Sequence, residues 1–153
     1  MLTFRNLDLA PDTPLDRWPH EALFTALERG SISDWHRIAA RVEERPFGVL
    51  ATNLAEVLEY ADDLPAATIL AGILADARDA VANDARRRAT AKTREIVTGS
   101  GLTQAEFARR AGASQAQLSQ WMTGKVIPSA AMLLRLERVT ADTGDGNPSG
   151  PAR

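Results

Sequence analysis

The chain contains no cysteine and, among its 153 residues, only two histidines. Without cysteine the protein forms no disulfide bond, thiolate metal site or cysteine nucleophile, which is typical of a reducing compartment. The isolated His20 and His36 are too few for a histidine-rich metal site. No apolar run approaches the roughly 20 residues that cross a bilayer, and the start of the chain lacks the basic and apolar segments of a signal peptide. We therefore expect a cytoplasmic protein with no membrane partner, metal or cofactor.

Groupings of catalytic side chains are also missing from the sequence. There is no glycine-rich phosphate loop, and both histidines stand alone beside ordinary acids. Adjacent residues of a helix point about 100° apart, so Asp62 and Asp63 suit a helix start better than a metal pair. We therefore expect that the protein is not an enzyme.

The net charge of −2 conceals an uneven distribution. Residues 1–83 hold seven Arg and fourteen Asp or Glu, whereas residues 84–140 hold ten Lys or Arg and four Asp or Glu. Such asymmetry predicts two surfaces with different partners. The basic half can meet phosphate groups, and the acidic half, which phosphates repel, is expected to face away from DNA or to meet a protein.

Helix-forming residues dominate the chain, and no segment shows sustained alternation of β-branched residues, so the sequence predicts an all-α fold. Apolar residues spaced by three and four predict helices over residues 19–28 and 49–61. Between them, Ser31 or Ser33 caps a further helix with an apolar stripe.

A fourth apolar segment, LPAATILAGILADARDAV, runs into DARRRATAKTREIV with no proline or glycine at the junction. Residues 65–98 therefore form either one helix or two that meet near Asn83 and Asp84. The end of the chain is rich in Gly, Pro, Ser and Asp, a composition typical of disorder. We divide the chain into an acidic helical interaction or dimerisation module (1–83), a second helical domain (84–140) and a disordered tail (141–153).

Residues 101–139 contain the signals of short helices joined by very short turns. Glu106 follows Thr103, and Gln117 follows Ser114, by three positions, the spacing of a capping box. Leu118 and Trp121 face inward, and Ala108 is small where two helices would cross closely. The remaining signals are two terminating glycines, a Pro-Ser helix start and an apolar stripe: Gly112, Gly124, Pro128, Ser129, Met132, Leu133, Leu136 and Val139.

This segment resembles the helix-turn-helix domain shared by phage repressors, Cro proteins and the xenobiotic-response-element family of bacterial regulators. The resemblance covers about residues 85–140. It departs from the family at Trp121, which is larger than the usual residue, and in its C-terminal place in the chain. It implies a five-helix, lambda-repressor-like domain. The matching residues are Leu102, Thr103, Gln104, Ala108, Gly112, Ser114, Gly124, Lys125, Pro128 and Ser129.

The resemblance implies a recognition helix over residues 114–122, whose first residues reach base edges in the major groove. Gln104 would bind a phosphate or buttress the first glutamine of that helix. Arg86 and Arg87, with Arg88, Lys92 and Arg94 nearby, either flank the DNA or form a solvated face. The implied base-contacting residues are Ser114, Gln115, Ala116, Gln117 and Gln120, and the implied phosphate or sugar contacts are Ser119, Thr123 and Lys125.

The family implies a nucleoid-associated transcriptional repressor that binds double-stranded DNA as a homodimer, at a palindromic operator in its own promoter. By analogy, the acidic half binds a toxin, which would make the protein the antitoxin of a toxin–antitoxin pair. The alternative is a stand-alone or prophage-derived repressor whose N-terminal half dimerises or senses a small ligand. Five aromatic residues are either interface anchors or core in that half: Trp18, Phe24, Trp35, Phe47 and Tyr60.

Overall fold

The computed structural model of the chain describes residues 2, 4, 9–10 and 12–144. These residues form helices and no strand, so the all-α prediction is confirmed. No helix in this part of the chain is both long enough and apolar enough to cross a membrane. After a 3₁₀ turn at Leu15–Arg17, the helices are α1 (His20–Arg29), α2 (Ile32–Glu44), α3 (Val49–Leu58), α4 (Pro65–Gly99), α5 (Gln104–Ala111), α6 (Gln115–Thr123) and α7 (Ala130–Gly144).

The chain divides into two compact units, which we call the acidic unit (Met1–Ala82) and the basic unit (Asn83–Arg153). In the acidic unit, apolar residues spaced by three and four on α1 to α4 turn toward one core. The buried side chains include Leu23 of α1, Ile38 of α2, Leu54 of α3 and Leu70 of α4. The small residues between them let the helices approach closely, because alanine adds little bulk.

Ser31, rather than Ser33, caps α2. Its Oγ accepts a hydrogen bond from the Asp34 backbone N–H (3.3 Å), and the Asp34 carboxylate accepts one from the Ser31 backbone N–H (3.0 Å). Burial raises the pKa of Asp34, but the hydrogen bonds from Ser31 outweigh it, so the pKa lies below its usual value. This complete capping box satisfies two backbone N–H groups that would otherwise remain unpaired at the helix start.

Gly30 ends α1, but for a reason other than a left-handed backbone. Its φ is −67°, in the extended region. The Ala26 carbonyl accepts hydrogen bonds from the Gly30 backbone N–H (2.9 Å) and from Trp35 Nε1 (2.8 Å). A Cβ at residue 30 would lie 2.2 Å from that carbonyl oxygen and 3.0 Å from Trp35 Nε1. Glycine is therefore required here by the space between α1 and α2.

Residues 65–98, for which the sequence allows one helix or two, lie in a single helix, α4. Among the described residues, the basic unit contains the end of α4 and the helices α5, α6 and α7. These are four of the five helices expected of the domain. The chain has no proline or glycine between residues 130 and 144, and α7 extends beyond residue 140 as one helix. The rest of the predicted tail, residues 145–153, lies outside the described residues.

The core of the basic unit joins all four of its helices. Phe107 of α5, Leu118 of α6 and Leu136 of α7 are fully buried, and Ile96 of α4 packs with them. The Thr140 hydroxyl donates to the Ile96 carbonyl (3.2 Å), which ties the far end of α7 to α4. These contacts, all within the basic unit, hold α5 and α6 at a defined angle.

We predict that Gly30→Ala destabilises the acidic unit by about 1–3 kcal/mol, because the new methyl group must displace a backbone carbonyl. Gly72→Ala is the matched control, since a Cβ at residue 72 of α4 meets nothing within 4 Å. It should stabilise the helix by about 0.5–1 kcal/mol. Native-state hydrogen exchange measures the first effect at the α1 and α2 amides and the second at the α4 amides. Slower or unchanged exchange in Gly30→Ala would contradict the steric argument.

Candidate nucleic-acid interface

A sharp turn joins α5 to α6. Gly112 has φ +72°, in the left-handed region where glycine has no Cβ penalty. The backbone N–H of Ala113 donates to the Ala108 carbonyl (2.9 Å), which closes the end of α5. Ala108 is buried, as the sequence predicts for a close helix crossing. The turn thus directs α6 away from α5 within three residues.

The capping box predicted at the start of α5 forms only in part. The Thr103 hydroxyl accepts from the Glu106 backbone N–H (3.2 Å), but the Glu106 carboxylate turns to Arg109 (2.6 Å) and Arg110 (2.9 Å). Hydrogen bonds from Arg109 and then from Arg110 hold the pKa of Glu106 below its usual value. The positive charges of these two arginines are therefore partly compensated within α5 itself.

The start of α6 carries the second predicted capping box, and this one is complete. The Ser114 hydroxyl accepts from the Gln117 backbone N–H (3.1 Å), and Gln117 Oε1 accepts from the Ser114 backbone N–H (3.0 Å). Both residues are exposed. The carbonyl end of the Gln117 amide is therefore committed to the cap, and its NH₂ group remains as a donor.

The two faces of α6 differ sharply in burial. Leu118 and Trp121 are buried, as the sequence predicts. The Thr123 hydroxyl donates back to the Ser119 carbonyl (3.0 Å). A short polar helix is thus anchored by two apolar side chains while its other face is open. The exposed residues of α6 are Gln115, Ala116, Gln117, Ser119, Gln120 and Thr123.

Gln104 and Lys125, for which the resemblance implies DNA contacts, lie outside α6 and are exposed. Gln104 is the first residue of α5, and Lys125 directly follows the glycine that ends α6. That glycine, Gly124, has φ +76°. The left-handed backbone therefore requires glycine at this position, as it does at Gly112.

Residues of α4 form a groove beside the C-terminal end of α6. Arg86, Arg87, Thr90, Ala91 and Arg94 line it together with Thr123 and Gly124, and its volume is about 270 Å³. Arg94 Nε donates to the carbonyl of Met122 (2.5 Å) in the last turn of α6. A Cβ at Gly124 would lie 2.8 Å from Thr90 Oγ1. We call this feature the arginine groove.

The arginine groove brings together Arg86 and Arg87, which the sequence leaves open between DNA contact and a solvated face, and Thr123, for which the resemblance implies a phosphate or sugar contact. Thr90 was missed. The available signal was its position four residues after Arg86 and four before Arg94, because residues spaced by four share one face of a helix. In the described residues, no group of three or more His, Cys, Asp or Glu side chains is arranged to hold a metal ion.

We predict that Ser114→Ala destabilises α6 by about 1 kcal/mol, because the helix loses its cap hydroxyl. Ser119→Ala is the matched control on the same exposed face, with no cap to lose, and should leave the helix as stable as before or slightly more so. Hydrogen exchange of the α6 amides separates the two variants. Equal exchange rates would show that the capping box does not stabilise this helix.

Comparison with known proteins identifies the segment that carries this geometry. The family model described as Helix-turn-helix matches residues 94–141, which include α5, the turn at Gly112 and α6. No curated protein and no solved structure matches the chain. The matched segment begins at the end of α4 and contains both glycines whose φ is in the left-handed region beside α6. The C-terminal part of this chain therefore contains a helix-turn-helix domain, at residues 94–141.

Proposed function

We propose that the chain is a sequence-specific DNA-binding regulator that represses its own promoter and reads its operator with α6. The observation that carries the proposal is the exposed polar face of α6, on a helix that is anchored by Leu118 and Trp121 and capped at its start. Gln115 and Gln120 are suited to adenine, since a glutamine side chain pairs bidentately with adenine N6 and N7. Ala116 is suited to a thymine methyl group.

The remaining polar residues fit contacts that position the helix. The exposed Ser119, Thr123 and Lys125 can reach phosphate or sugar oxygens, which fix register without reading sequence. Gln104 lies in the first turn of α5, where backbone N–H groups favour an anion. The NH₂ group of Gln117 can donate to a base or phosphate acceptor while its carbonyl maintains the cap with Ser114.

We further propose that two copies bind a palindromic operator, with half-sites about one DNA turn apart. The support is a set of exposed apolar side chains in the basic unit: Val126 and Ile127 in the segment after α6, and Leu134 on α7, which is 59% exposed. These exposed apolar side chains are groups that a second copy of the chain could cover.

For the acidic unit we propose a protein partner, and specifically the toxin of a toxin–antitoxin pair. Phe47 and Val81 are exposed although both are large and apolar. The Arg78 guanidinium lies 5.3 Å from the Phe47 ring centroid. Close by, Glu43, Pro46, Ile73, Asp76, Ala77, Ala80 and Val81 line a groove of about 420 Å³ with an apolar floor and acidic side chains. This combination favours a basic protein with an apolar contact surface.

The alternative is a stand-alone or prophage-derived repressor whose acidic unit senses a small ligand. A cavity of about 400 Å³ lined by His20, Glu21, Phe24, Thr25 and Tyr60 favours it. The rings of Phe24 and Tyr60 stack there, with centroids 5.9 Å apart. The volume falls in the range of small-molecule sites, so a metabolite that raises the melting temperature would support this second function.

We predict that the wild-type chain binds a labelled fragment of its own upstream region tightly at physiological salt and binds an unrelated fragment weakly. The double variant Gln115→Ala, Gln120→Ala should lose roughly 1–3 kcal/mol per base contact on the upstream fragment only. Fluorescence anisotropy measures all of these affinities. Thr98→Ala, an exposed substitution on α4, is the control and should bind as the wild type does. Equal weak binding of both fragments, unchanged in the double variant, would overturn recognition by α6.

A second prediction concerns the acidic unit. If a neighbouring gene encodes a protein that arrests growth, co-expression of this chain should relieve the arrest, and the two proteins should purify together. Phe47→Ser with Val81→Ser should abolish the complex and leave DNA binding intact, because both side chains are exposed apolar groups of the proposed contact. Ile32→Ser, at the opposite end of α2 from Pro46, is the matched control. Unaltered complex formation by the double variant would contradict this surface.

A further inference from the structure

The arginine groove concentrates positive charge without a compensating acid in its wall. Three of its lining side chains are guanidinium groups, from Arg86, Arg87 and Arg94, and none is a carboxylate. Arg87 reaches Asp84 at 3.3 Å. Within the described residues, Arg86 and Arg94 form no ion pair. Like charges held this close repel one another, so the groove is stabilised when an anion enters it.

We infer that the arginine groove is a phosphate-binding site that holds one backbone phosphate of DNA beside the C-terminal end of α6. The inference rests on the proposed function and adds to it a contact made by α4. Arginine presents up to five N–H donors in a fixed fork that matches phosphate oxygens. Thr90 adds a hydroxyl group to the wall, whereas the Thr123 hydroxyl donates to the Ser119 carbonyl. The donor set of the groove is therefore complementary to a phosphate in both charge and hydrogen bonding.

Arg94 serves in this site as a positioning residue. Its Nε already donates to the Met122 carbonyl at 2.5 Å, which satisfies one of the unpaired carbonyl groups at the end of α6. The planar guanidinium is thereby held in one orientation. Arg86 and Arg87 line the same groove as Arg94.

The groove is held at a constant distance from the recognition helix. Thr90 packs so closely on Gly124 that no Cβ fits between them without a shift. A phosphate bound by α4 would therefore fix the register of α6 along the major groove, as backbone contacts do in other protein–DNA complexes. The contact carries no sequence information, which distinguishes it from the proposed contacts of Gln115 and Gln120.

Arg88 provides a matched control within the same basic run. It is 81% exposed and pairs with Asp84 at 2.8 Å, and it does not line the groove. Replacing Arg86, Arg87 or Arg88 by glutamine removes the same charge from neighbouring positions of one helix. Only the first two replacements remove a donor from the proposed site.

The test measures the affinity of the full-length chain for its upstream fragment and for an unrelated fragment over a series of salt concentrations. For Arg86→Gln and Arg87→Gln, the slope of log affinity against log salt should become shallower by about 0.9 for each phosphate that the variant no longer neutralises. At low salt their affinity should fall about tenfold for both fragments alike. Arg88→Gln should keep the wild-type slope.

Each other outcome overturns the inference in a recognisable way. If all three variants make the salt slope equally shallower, the three neighbouring arginines act as diffuse charge, and the groove holds no particular phosphate. If Arg86→Gln and Arg87→Gln keep the wild-type salt slope and bind the upstream fragment specifically, the groove is not a phosphate site. The proposed function then still stands. If the wild-type chain does not bind DNA, both fail.

A thermal-shift titration with inorganic pyrophosphate separates a DNA site from a site for a free anion. If pyrophosphate stabilises the wild type and not Arg86→Gln, while the salt slopes of the two proteins agree, the groove binds a free phosphate compound and the DNA assignment is wrong. The variant Arg94→Gln tests the positioning role. Its DNA affinity is measured as for the other variants, and circular dichroism measures its α-helix content. A loss of DNA affinity with α-helix content unchanged supports it, and unchanged affinity contradicts it.

Discussion

The burial of Leu118 and Trp121 is the constraint on which the basic unit depends. The helix α6 is short and otherwise polar, so these two side chains are its main hold on the core formed with Phe107 and Leu136. Because they lie one turn apart, they fix the rotation of α6 about its own axis, and with it the direction of every exposed side chain. Caps and glycine turns then fix where the helix begins and ends. The interface is thus a consequence of core packing.

Arginine side chains in both units pair with nearby acidic side chains. In α5, Glu106 compensates Arg109 and Arg110, and in the acidic unit Arg41 pairs with Asp16 and Glu44. Arginines that stabilise a fold are therefore found beside acids. The arginine groove departs from this pattern in part: Arg87 pairs with Asp84, but within the described residues Arg86 and Arg94 form no ion pair, and no carboxylate lines the groove.

Local signals in the sequence predicted much of the fold and the interface. The spacing of Leu118 and Trp121 and the glycine at residue 112 depend on a few neighbouring residues, so they could be predicted. The contact between Thr90 and Gly124 could not be, because it joins positions far apart in the chain. Glu106 had two local options, the backbone N–H of Thr103 or the arginines one turn later, and spacing alone does not decide between them. The requirement for glycine at residue 30 could not be predicted either, because it depends on the indole of Trp35, a tertiary contact.

The complete capping box of α6 has a thermodynamic consequence. If α6 reads an operator as proposed, a helix that is already capped and packed in the free protein would lose little conformational entropy when it enters the major groove. Its binding would then lack the large heat-capacity change of a segment that folds on its target. Correct and incorrect operators would meet the same preformed surface at similar rates, and discrimination between them would reside mainly in how long each complex lasts.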